Sequence, residues 1–300
     1  MFTAVGKAAG NSRAGCAAMQ AQAAPDPVAS SVPQLHANTI GADAFDAGLE
    51  SLRSRGADAV EVQRDEAEHA LACMSHDDLA PDRSIAREFV QFALEAGVLR
   101  FGEFKTKAGR LSPYFFNSGL FDDGIKLMRL GEFYARRLVA SGLAFDMLFG
   151  PAYKGITLAA AVAVALGRDG RAVPFAYNRK EAKDHGEGGL VVGAPLRGRV
   201  VIVDDVITDG ASKRESVQLL RREGSEPVAV LIALDRMERG GAGDNLSDRS
   251  AVEDFERDYA MPVIPVATVA DLLDFLTSHA DPTFASHADA VARYRRRYGI

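Results

Sequence analysis

The chain has 300 residues, 47% of them hydrophobic and 25% charged, and its formal net charge is -6. These values are typical of a globular protein, and an acidic chain without a Lys/Arg-rich run argues against nucleic acid as its main partner. No apolar run approaches the roughly 20 residues that a membrane-spanning helix needs. We therefore expect no membrane partner. Only two cysteines are present, which is typical of a reducing compartment, so we expect a cytoplasmic protein.

Residues 1–82 differ in composition from the rest of the chain, because they are rich in Ala, Ser, Gly, Asp and Gln and poor in aromatic residues. We predict that they form a poorly ordered or loosely helical extension and that residues 83–300 form the folded domain. Two alternatives stay open. The segment before Asp26 lacks acidic residues, as a transit peptide does, although only Lys7 and Arg13 in it are basic. Alternatively, translation starts downstream of Met1.

From Arg83 onward, short apolar runs alternate with helical patterns. Phe89, Phe92, Leu94 and Val98 are spaced as in a helix that ends near Gly97. Further strands are predicted at 145–150, 172–177, 198–205, 227–236 and 259–268, and further helices at 155–167, 212–224 and 269–276. Continuously apolar strands that alternate with helices indicate an α/β fold, in which a mostly parallel sheet is covered on both faces.

The segment "VVIVDDVITDGAS", residues 200–212, ends a predicted strand in two adjacent acids, Asp204 and Asp205. Ligands of parallel sheets bind at the carboxyl ends of the strands, where such acids can meet a hydroxyl group or a cation. The following turn leads into a helix, whose backbone N–H groups favour an anion. Carboxylates that can bind hydroxyl groups, next to backbone N–H groups that can bind a phosphate, suit a ribose 5-phosphate. The alternative is a simple helix cap by Asp205 or Thr208, but two vicinal acids exceed what capping needs.

This segment resembles the binding motif for phosphoribosyl diphosphate (PRPP) of the type I phosphoribosyltransferases. Four more stretches narrow the resemblance to the orotate phosphoribosyltransferase family: "LRFGEFKTKAGRLSPYFFNSGLF" (99–121), "LFGPAYKGI" (148–156), "NRKEAKDHGEGG" (178–189) and "LDRMERG" (234–240). The resemblance covers residues 84–300. It implies the type I phosphoribosyltransferase fold, in which a central, mostly parallel sheet is flanked by helices and carries a small hood.

The resemblance assigns most of the conspicuous polar residues to PRPP. The implied PRPP-binding set is Lys107, Tyr153, Lys154, Arg179, Lys180, Lys183, His185, Asp204, Asp205, Val206, Ile207, Thr208, Asp209, Gly210, Ala211 and Ser212. Asp209 departs from the small residue that the family usually has there; since its carboxylate would repel a phosphate, we expect it to bind through its backbone N–H. Within the set, the resemblance gives catalytic roles to Lys183, His185, Asp204 and Asp205, with Lys183 expected to matter most for turnover.

The orotate site implied by the resemblance consists of Lys107, Phe115, Phe116, Thr208 and Arg236. Phe115 and Phe116 are adjacent, so in an extended segment they point to opposite faces and at least one belongs to the core. The guanidinium of Arg236 suits a planar carboxylate, which orotate carries.

The charged, glycine-rich stretch from Asn178 to Gly189 has little to bury, so we predict a mobile surface loop. In the family, the corresponding loop, here residues 179–193, closes over the active site of a neighbouring subunit, which implies a homodimer. The resemblance also implies Mg²⁺ as cofactor, bound mainly through PRPP rather than through a protein metal site. We expect residues 240–250 to form a polar surface loop.

Two other functions remain to be weighed. A purine phosphoribosyltransferase would keep the 200–212 segment but should lack the "SPYFFN" stretch and Arg236. A regulatory protein of the same fold could bind PRPP without chemistry and read RNA, but it should carry a basic face and lack the cationic loop. The loop is present here, and the net charge is negative.

Overall fold

The computed structural model describes residues 82–300, apart from 107–108, 184–188, 209, 243–244 and 280. The predicted extension therefore lies outside the described residues, except for Asp82, and the domain boundary stays a prediction. In the described part of the chain the strands are β1 Leu99–Lys105, β2 Leu111–Phe116, β3 Met147–Gly150, β4 Phe175–Lys183, β5 Gly189–Gly193, β6 Arg199–Val203, β7 Glu226–Asp235, β8 Arg239–Ala242, β9 Asn245–Ser250 and β10 Val263–Thr268.

The helices of the same part are α1 Arg83–Glu95, α2 Gly124–Ala140, α3 Lys154–Arg168, α4 Ala211–Arg222, α5 Ala251–Tyr259, α6 Val269–Ser278 and α7 Pro282–Tyr298. None of the helices within the described ranges is long and apolar enough to cross a membrane. The predicted helices at 155–167, 212–224 and 269–276 are confirmed as α3, α4 and α6.

Six strands form the central sheet in the order β10-β7-β6-β3-β4-β5. The first five are parallel, and β5 pairs antiparallel with β4 at the edge. The predicted α/β fold with a central, mostly parallel sheet is thereby confirmed. In a parallel sheet, the loops that lead from the strands into the following helices all lie at the end of the sheet where the strands have their carboxyl ends. We call this end the carboxyl edge.

The apolar runs of the central strands are buried on both sides, which is why they lack a polar alternation. On one face, Val201 and Leu231 pack with α1, α2, α3 and α6. On the other face, Ile202 packs with Leu220 of α4 and Phe255 of α5. The two layers of helices hold the sheet rigid, and this rigidity positions the loops at its carboxyl edge.

A separate antiparallel hairpin, β1–β2, forms the hood and packs against α7. The turn of this hairpin is closed by hydrogen bonds between Thr106 and Arg110, and it contains Lys107, which lies outside the described residues.

Two loop predictions need correction. The strand β4 continues through Lys183 and so takes in half of the stretch that we expected to be a loop, because its backbone pairs with β5. Residues 184–188, the centre of that stretch, lie outside the description. The expected loop 240–250 instead forms most of the hairpin β8–β9, since backbone pairing compensates for its polar composition.

Candidate active site

Three loops meet at the carboxyl edge of the sheet. They follow β3, β6 and β7, and they carry Lys154, the acid pair Asp204–Asp205, and Arg236. The backbone N–H of Ala233 in β7 donates to the carbonyl oxygen of Asp205, 2.8 Å away, so the second and third loops leave the sheet side by side. The parallel order of the strands thus brings together residues that are separated by more than eighty positions in sequence.

The two acids have different partners. The carboxylate of Asp204 contacts Lys213 Nζ at 2.5 Å and accepts a hydrogen bond from the backbone N–H of Asp205 at 2.9 Å. The carboxylate of Asp205 accepts hydrogen bonds from Lys154 Nζ and from Ser118 Oγ, each at 2.6 Å. Both acids are mostly buried, at 7% and 8% exposure. Each charge at the strand end is therefore neutralised by its own lysine.

The surroundings move the two pKa values in opposite directions. Burial raises the pKa of Asp204, and the charge of Lys213 and its hydrogen bond offset this only in part. Burial also acts on Asp205, but the hydrogen bonds from Lys154 and Ser118 outweigh it and hold the pKa of that carboxyl below its usual value. Asp205 is thus the acid that stays ionised most readily.

The loop after the acids leads into α4, which begins at Ala211 after Gly210. Gly210 has φ of 70°, a left-handed conformation that a residue with a side chain rarely adopts. The side chain of Ile207 is buried in the core cluster under α4 and α5, and that of Val206 is half-buried against the core cluster on the other face of the sheet. Thr208 is exposed, Ser212 is half-buried, and Asp209 lies outside the described residues.

The N-cap residues of α3 and α4 differ from those of the other described helices. Tyr153 and Gly210, their N-cap residues, make no capping hydrogen bond, whereas the described N-caps of α1, α2, α5, α6 and α7 all accept one. The N-terminus of a helix carries partial positive charge, which favours an anion. Both of these helix ends lie at the carboxyl edge, next to the acids.

The loop after β3 approaches the neighbouring backbone closely. A Cβ atom added to Gly155 would lie 2.5 Å from Pro151 Cδ and 2.7 Å from the carbonyl oxygen of Val203, so only glycine fits there. Tyr153 is 68% exposed, and Lys180 Nζ lies 4.9 Å from the centre of its ring. The backbone N–H of Ala152 donates to Asn178 Oδ1. These contacts tie the loop to β4.

The cations of the predicted closing loop begin on β4. Arg179 is half-buried and Lys180 is exposed. Lys183 ends β4, and its backbone is in register with Gly189 of β5. The side chain of Lys183 and the whole of His185 lie outside the description, as does Lys107. The structure therefore places the start of the cationic segment beside the loop that follows β3.

The predicted aromatic pair divides as expected. Phe116 packs against the core near Phe89, while Phe115 is 44% exposed and stacks on Phe104 with ring centres 5.3 Å apart. Arg236 lies over the ring of Tyr114 at 5.4 Å, and its Nη2 atom is 2.5 Å from Glu238 Oε1. The hood and the end of β7 thus face each other across one region.

Sequence reasoning missed several polar residues of this region: Ser118, Lys213, Arg110 and Glu238. Arg110 Nη1 lies 3.4 Å from Glu238, and Arg110 Nη2 donates to the carbonyl oxygens of Arg239 and Gly241. Lys213 could have been found, because it stands four and seven residues before Val217 and Leu220, on the buried face of α4. A lysine on an apolar helix face needs a buried partner.

Comparison with known proteins places this geometry in a family. Residues 121–260 match the phosphoribosyl transferase domain family. The orotate phosphoribosyltransferase of Methylibium petroleiphilum is 64% identical over 220 residues, covering 72% of this chain and 94% of the relative. That of Cupriavidus metallidurans is 60% identical, covering 73% and 97%. The crystal structure of orotate phosphoribosyltransferase from Francisella tularensis is 38% identical, with a TM-score of 0.63, and covers 71% of this chain and 100% of its own.

Proposed function

Since this chain belongs to the orotate phosphoribosyltransferase family, we propose that the carboxyl edge of its sheet is where ribose 5-phosphate passes from PRPP to orotate. The reaction yields orotidine 5′-monophosphate and diphosphate and belongs to pyrimidine biosynthesis. The observation that carries the placement is the buried pair Asp204–Asp205 at the carboxyl edge, beside the N-termini of α3 and α4.

PRPP would bind across the two loops that follow β3 and β6. Its 5′-phosphate fits the start of α4, where backbone N–H groups of residues 208–212 and the hydroxyl groups of Thr208 and Ser212 can donate. Its ribose hydroxyls fit the acids Asp204 and Asp205. Its diphosphate fits the start of α3, with Tyr153 and Lys154, and the cations Lys107, Arg179, Lys180, Lys183 and His185 would complete the set.

Orotate would lie between the hood and the end of β7. The exposed ring of Phe115 offers a stacking surface, and Arg236 offers a guanidinium for the carboxylate of orotate. Lys107 and Thr208 would complete this site. The presence of both features favours orotate over a purine base, which has no carboxylate to pair with Arg236.

The chemistry separates charge at the anomeric carbon. The bond from this carbon to the diphosphate oxygen breaks with its electron pair going to diphosphate. N1 of orotate supplies the pair for the new bond, and its proton passes to the departing diphosphate. Positive charge develops on the ribose, close to the acids, while cations of the site stabilise the leaving diphosphate. Because the departing diphosphate can accept this proton, no strong general base from the protein is required.

Mg²⁺ fits this site as a companion of PRPP. No group of three His, Cys, Asp or Glu side chains in the described ranges could hold a metal ion by itself. Mg²⁺ usually binds through one or two carboxylates together with substrate phosphates, and Asp205 is the carboxylate placed to add an oxygen atom. When bound, the metal supplies positive charge against the diphosphate.

A homodimer would complete the site with the loop 179–193 of a second subunit. A groove of about 360 Å³ between α2 and α3 is lined almost entirely by apolar atoms, among them those of Leu127, Met128, Ala161 and Val164. Val164 is 65% exposed, and water contact with so much apolar surface favours its burial against another chain. The groove includes Thr157, one turn from Lys154. A second copy bound there would therefore lie beside the loop 151–153 after β3, which we call the diphosphate loop.

The enzyme's location in the cytoplasm remains part of the proposal, and it rests on the pathway and on the low cysteine content. It is independent of the site assignments, and fractionation of cells that express the tagged full chain would test it.

The decisive experiment measures the loss of orotate absorbance with PRPP, with and without Mg²⁺, and with adenine, hypoxanthine and uracil as control bases. We expect orotate consumption that needs both PRPP and the metal. Saturable PRPP binding without turnover would instead support the regulatory function. In the same assay, Lys183→Ala should lower turnover more than it lowers PRPP affinity, whereas a change in affinity alone would contradict its catalytic role.

A further inference from the structure

Lys213 is a buried lysine that the proposed reaction leaves without a role. It lies in the first turn of α4, is 6% exposed, and faces the inside of the fold. Its ammonium group contacts Asp204 Oδ2 at 2.5 Å and donates to the carbonyl oxygen of Val206 at 2.6 Å. Both contacts reach the segment that is expected to hold PRPP.

A lysine in this position is costly by itself. The N-terminal turn of a helix carries partial positive charge, which disfavours a second cation. Burial removes the ammonium group from water and adds a desolvation penalty. The contact with the Asp204 carboxylate compensates for the helix charge and for the desolvation penalty. The charged form of Lys213 and the ionised form of Asp204 therefore stabilise each other.

The internal contacts use both oxygen atoms of Asp204. One oxygen meets Lys213, and the other accepts the backbone N–H of Asp205. In addition, Tyr134 donates its hydroxyl hydrogen to the backbone carbonyl oxygen of Asp204, 2.9 Å away. This acid is therefore held from the sheet side, from α2 and from α4 at once.

Asp205 is held differently. Its Oδ1 atom accepts the backbone N–H of Val206, whereas its Oδ2 atom accepts hydrogen bonds from the side chains of Lys154, at the start of α3, and Ser118, after the hood. The side chain of Lys154 is 57% exposed, whereas that of Lys213 is 7% exposed. An exposed lysine can turn to a diphosphate and release its acid, but a buried lysine has no such alternative.

We propose that Lys213 is a positioning residue of the PRPP site. It holds Asp204 as an internal anchor of the phosphate loop, the loop 204–210 between β6 and α4, and leaves Asp205 as the acid that binds the ribose hydroxyls. This inference rests on the proposed function and divides the two acids that the family resemblance treats alike. Through Val206, Lys213 also fixes the start of the loop whose backbone would bind the 5′-phosphate.

The test is a double-mutant cycle in the full chain, with steady-state kinetics for both substrates and thermal unfolding of each variant. Lys213→Met keeps the length of the side chain but leaves Asp204 unpaired. We expect the KM for PRPP to rise at least about tenfold, while the KM for orotate stays within about twofold. A merely structural defect would lower the active fraction without separating the two KM values.

The second arm removes the buried charge from both partners. We expect Lys213→Met/Asp204→Asn to regain most of the PRPP affinity that Lys213→Met loses, because no unpaired charge remains, and this variant keeps the test valid if Lys213→Met does not fold. Asp205→Asn should instead lower kcat/KM for PRPP at least about a hundredfold, a loss that Lys213→Met should not relieve. Lys126→Met, at an exposed ion pair of α2, is the matched control and should behave as wild type.

Three results would overturn the proposal: wild-type kinetics for Lys213→Met, a Lys213→Met/Asp204→Asn variant as inactive as Asp205→Asn, or relief of Asp205→Asn by Lys213→Met. Failure of the proposed function is a separate outcome, because it would appear as absence of orotate consumption in the wild-type protein. In that case calorimetric titration of PRPP into the same variants still distinguishes the two acids.

Discussion

The ammonium group of Lys154 lies 2.6 Å from Asp205 Oδ2, so a lysine expected to bind diphosphate and an acid expected to bind ribose neutralise each other. PRPP would carry partners for both, since its diphosphate suits the lysine and its hydroxyls suit the acid. Binding would then exchange one set of contacts for another rather than leave a buried charge without a partner. The greater exposure of Lys154 makes it the group that moves.

Lys154→Ala should weaken PRPP binding and slow transfer, because the leaving diphosphate loses a cation. We expect kcat/KM for PRPP to fall at least about a hundredfold, which corresponds to about 2.7 kcal/mol, while the KM for orotate changes little. Steady-state kinetics with each substrate varied in turn measures this. Lys126→Ala, which removes a half-buried surface lysine of α2, is the control; a Lys154→Ala enzyme with the same kinetics as that control would contradict the role.

Arg236→Lys should raise the KM for orotate by about tenfold or more, because a lysine cannot offer the planar, two-pronged donor geometry of a guanidinium. The KM for PRPP should stay nearly constant. Arg249→Lys, at an exposed position of β9, is the matched control. Equal rises in both KM values would show that Arg236 supports the whole site instead of the orotate carboxylate.

Gly155→Ala should destabilise the protein by about 1–3 kcal/mol, because the new methyl group collides with Pro151 and with the carbonyl oxygen of Val203. The diphosphate loop would shift, so activity should fall as well. Gly167→Ala in the same helix is the matched control, since no neighbouring atom lies within 4 Å of its added Cβ. Urea unfolding compares the two variants, and equal stability would disprove the steric argument.

Val164→Glu should prevent the proposed homodimer from forming, because it places a charge in the apolar groove between α2 and α3. We expect a folded monomer with low activity, since the loop 179–193 of a second subunit would be absent. Light scattering gives the mass and circular dichroism the folded state. Val139→Glu changes an exposed valine of α2 outside the groove and should remain dimeric; a dimeric Val164→Glu protein would place the interface elsewhere.

Asp146→Asn should reduce stability at neutral pH but not in acid. Hydrogen bonds from Arg199 hold the pKa of Asp146 below its usual value, so the carboxylate stabilises the fold above the unfolded pKa, about 3.9. This contribution is lost as the pH falls through the lower, folded pKa. The side chain is 45% exposed, so we expect a loss below about 1 kcal/mol at pH 7.

Thermal unfolding of wild type and Asp146→Asn at pH 7 and near pH 3 measures this difference. Asp289→Asn, on the exposed side of α7, controls for the removal of a negative charge. A stability difference that is the same at both pH values would show that the contact acts through packing rather than through ionisation.

Much of the fold could be predicted from local patterns. The apolar runs of β6 and β7 and the helical spacing of α3 and α4 are visible in the sequence, because strands buried on both faces and amphipathic helices leave distinct periods. The strand character of Asn178–Lys183 and of residues 240–250 was not visible. In both segments, pairing with a distant or neighbouring backbone overrides a composition that by itself favours a loop.

The sequence by itself determined the chemistry of the site: adjacent acids at a strand end, a glycine-containing turn before a helix, and an arginine after β7 are local features. The tertiary structure alone decided which lysine meets which acid. Lys154 and Lys213 lie fifty-one positions before and nine positions after their partners Asp205 and Asp204. Their pairing follows from parallel strand order and from the buried side of α4, because burial and distance, which set the energy of a charge, exist only in the folded chain.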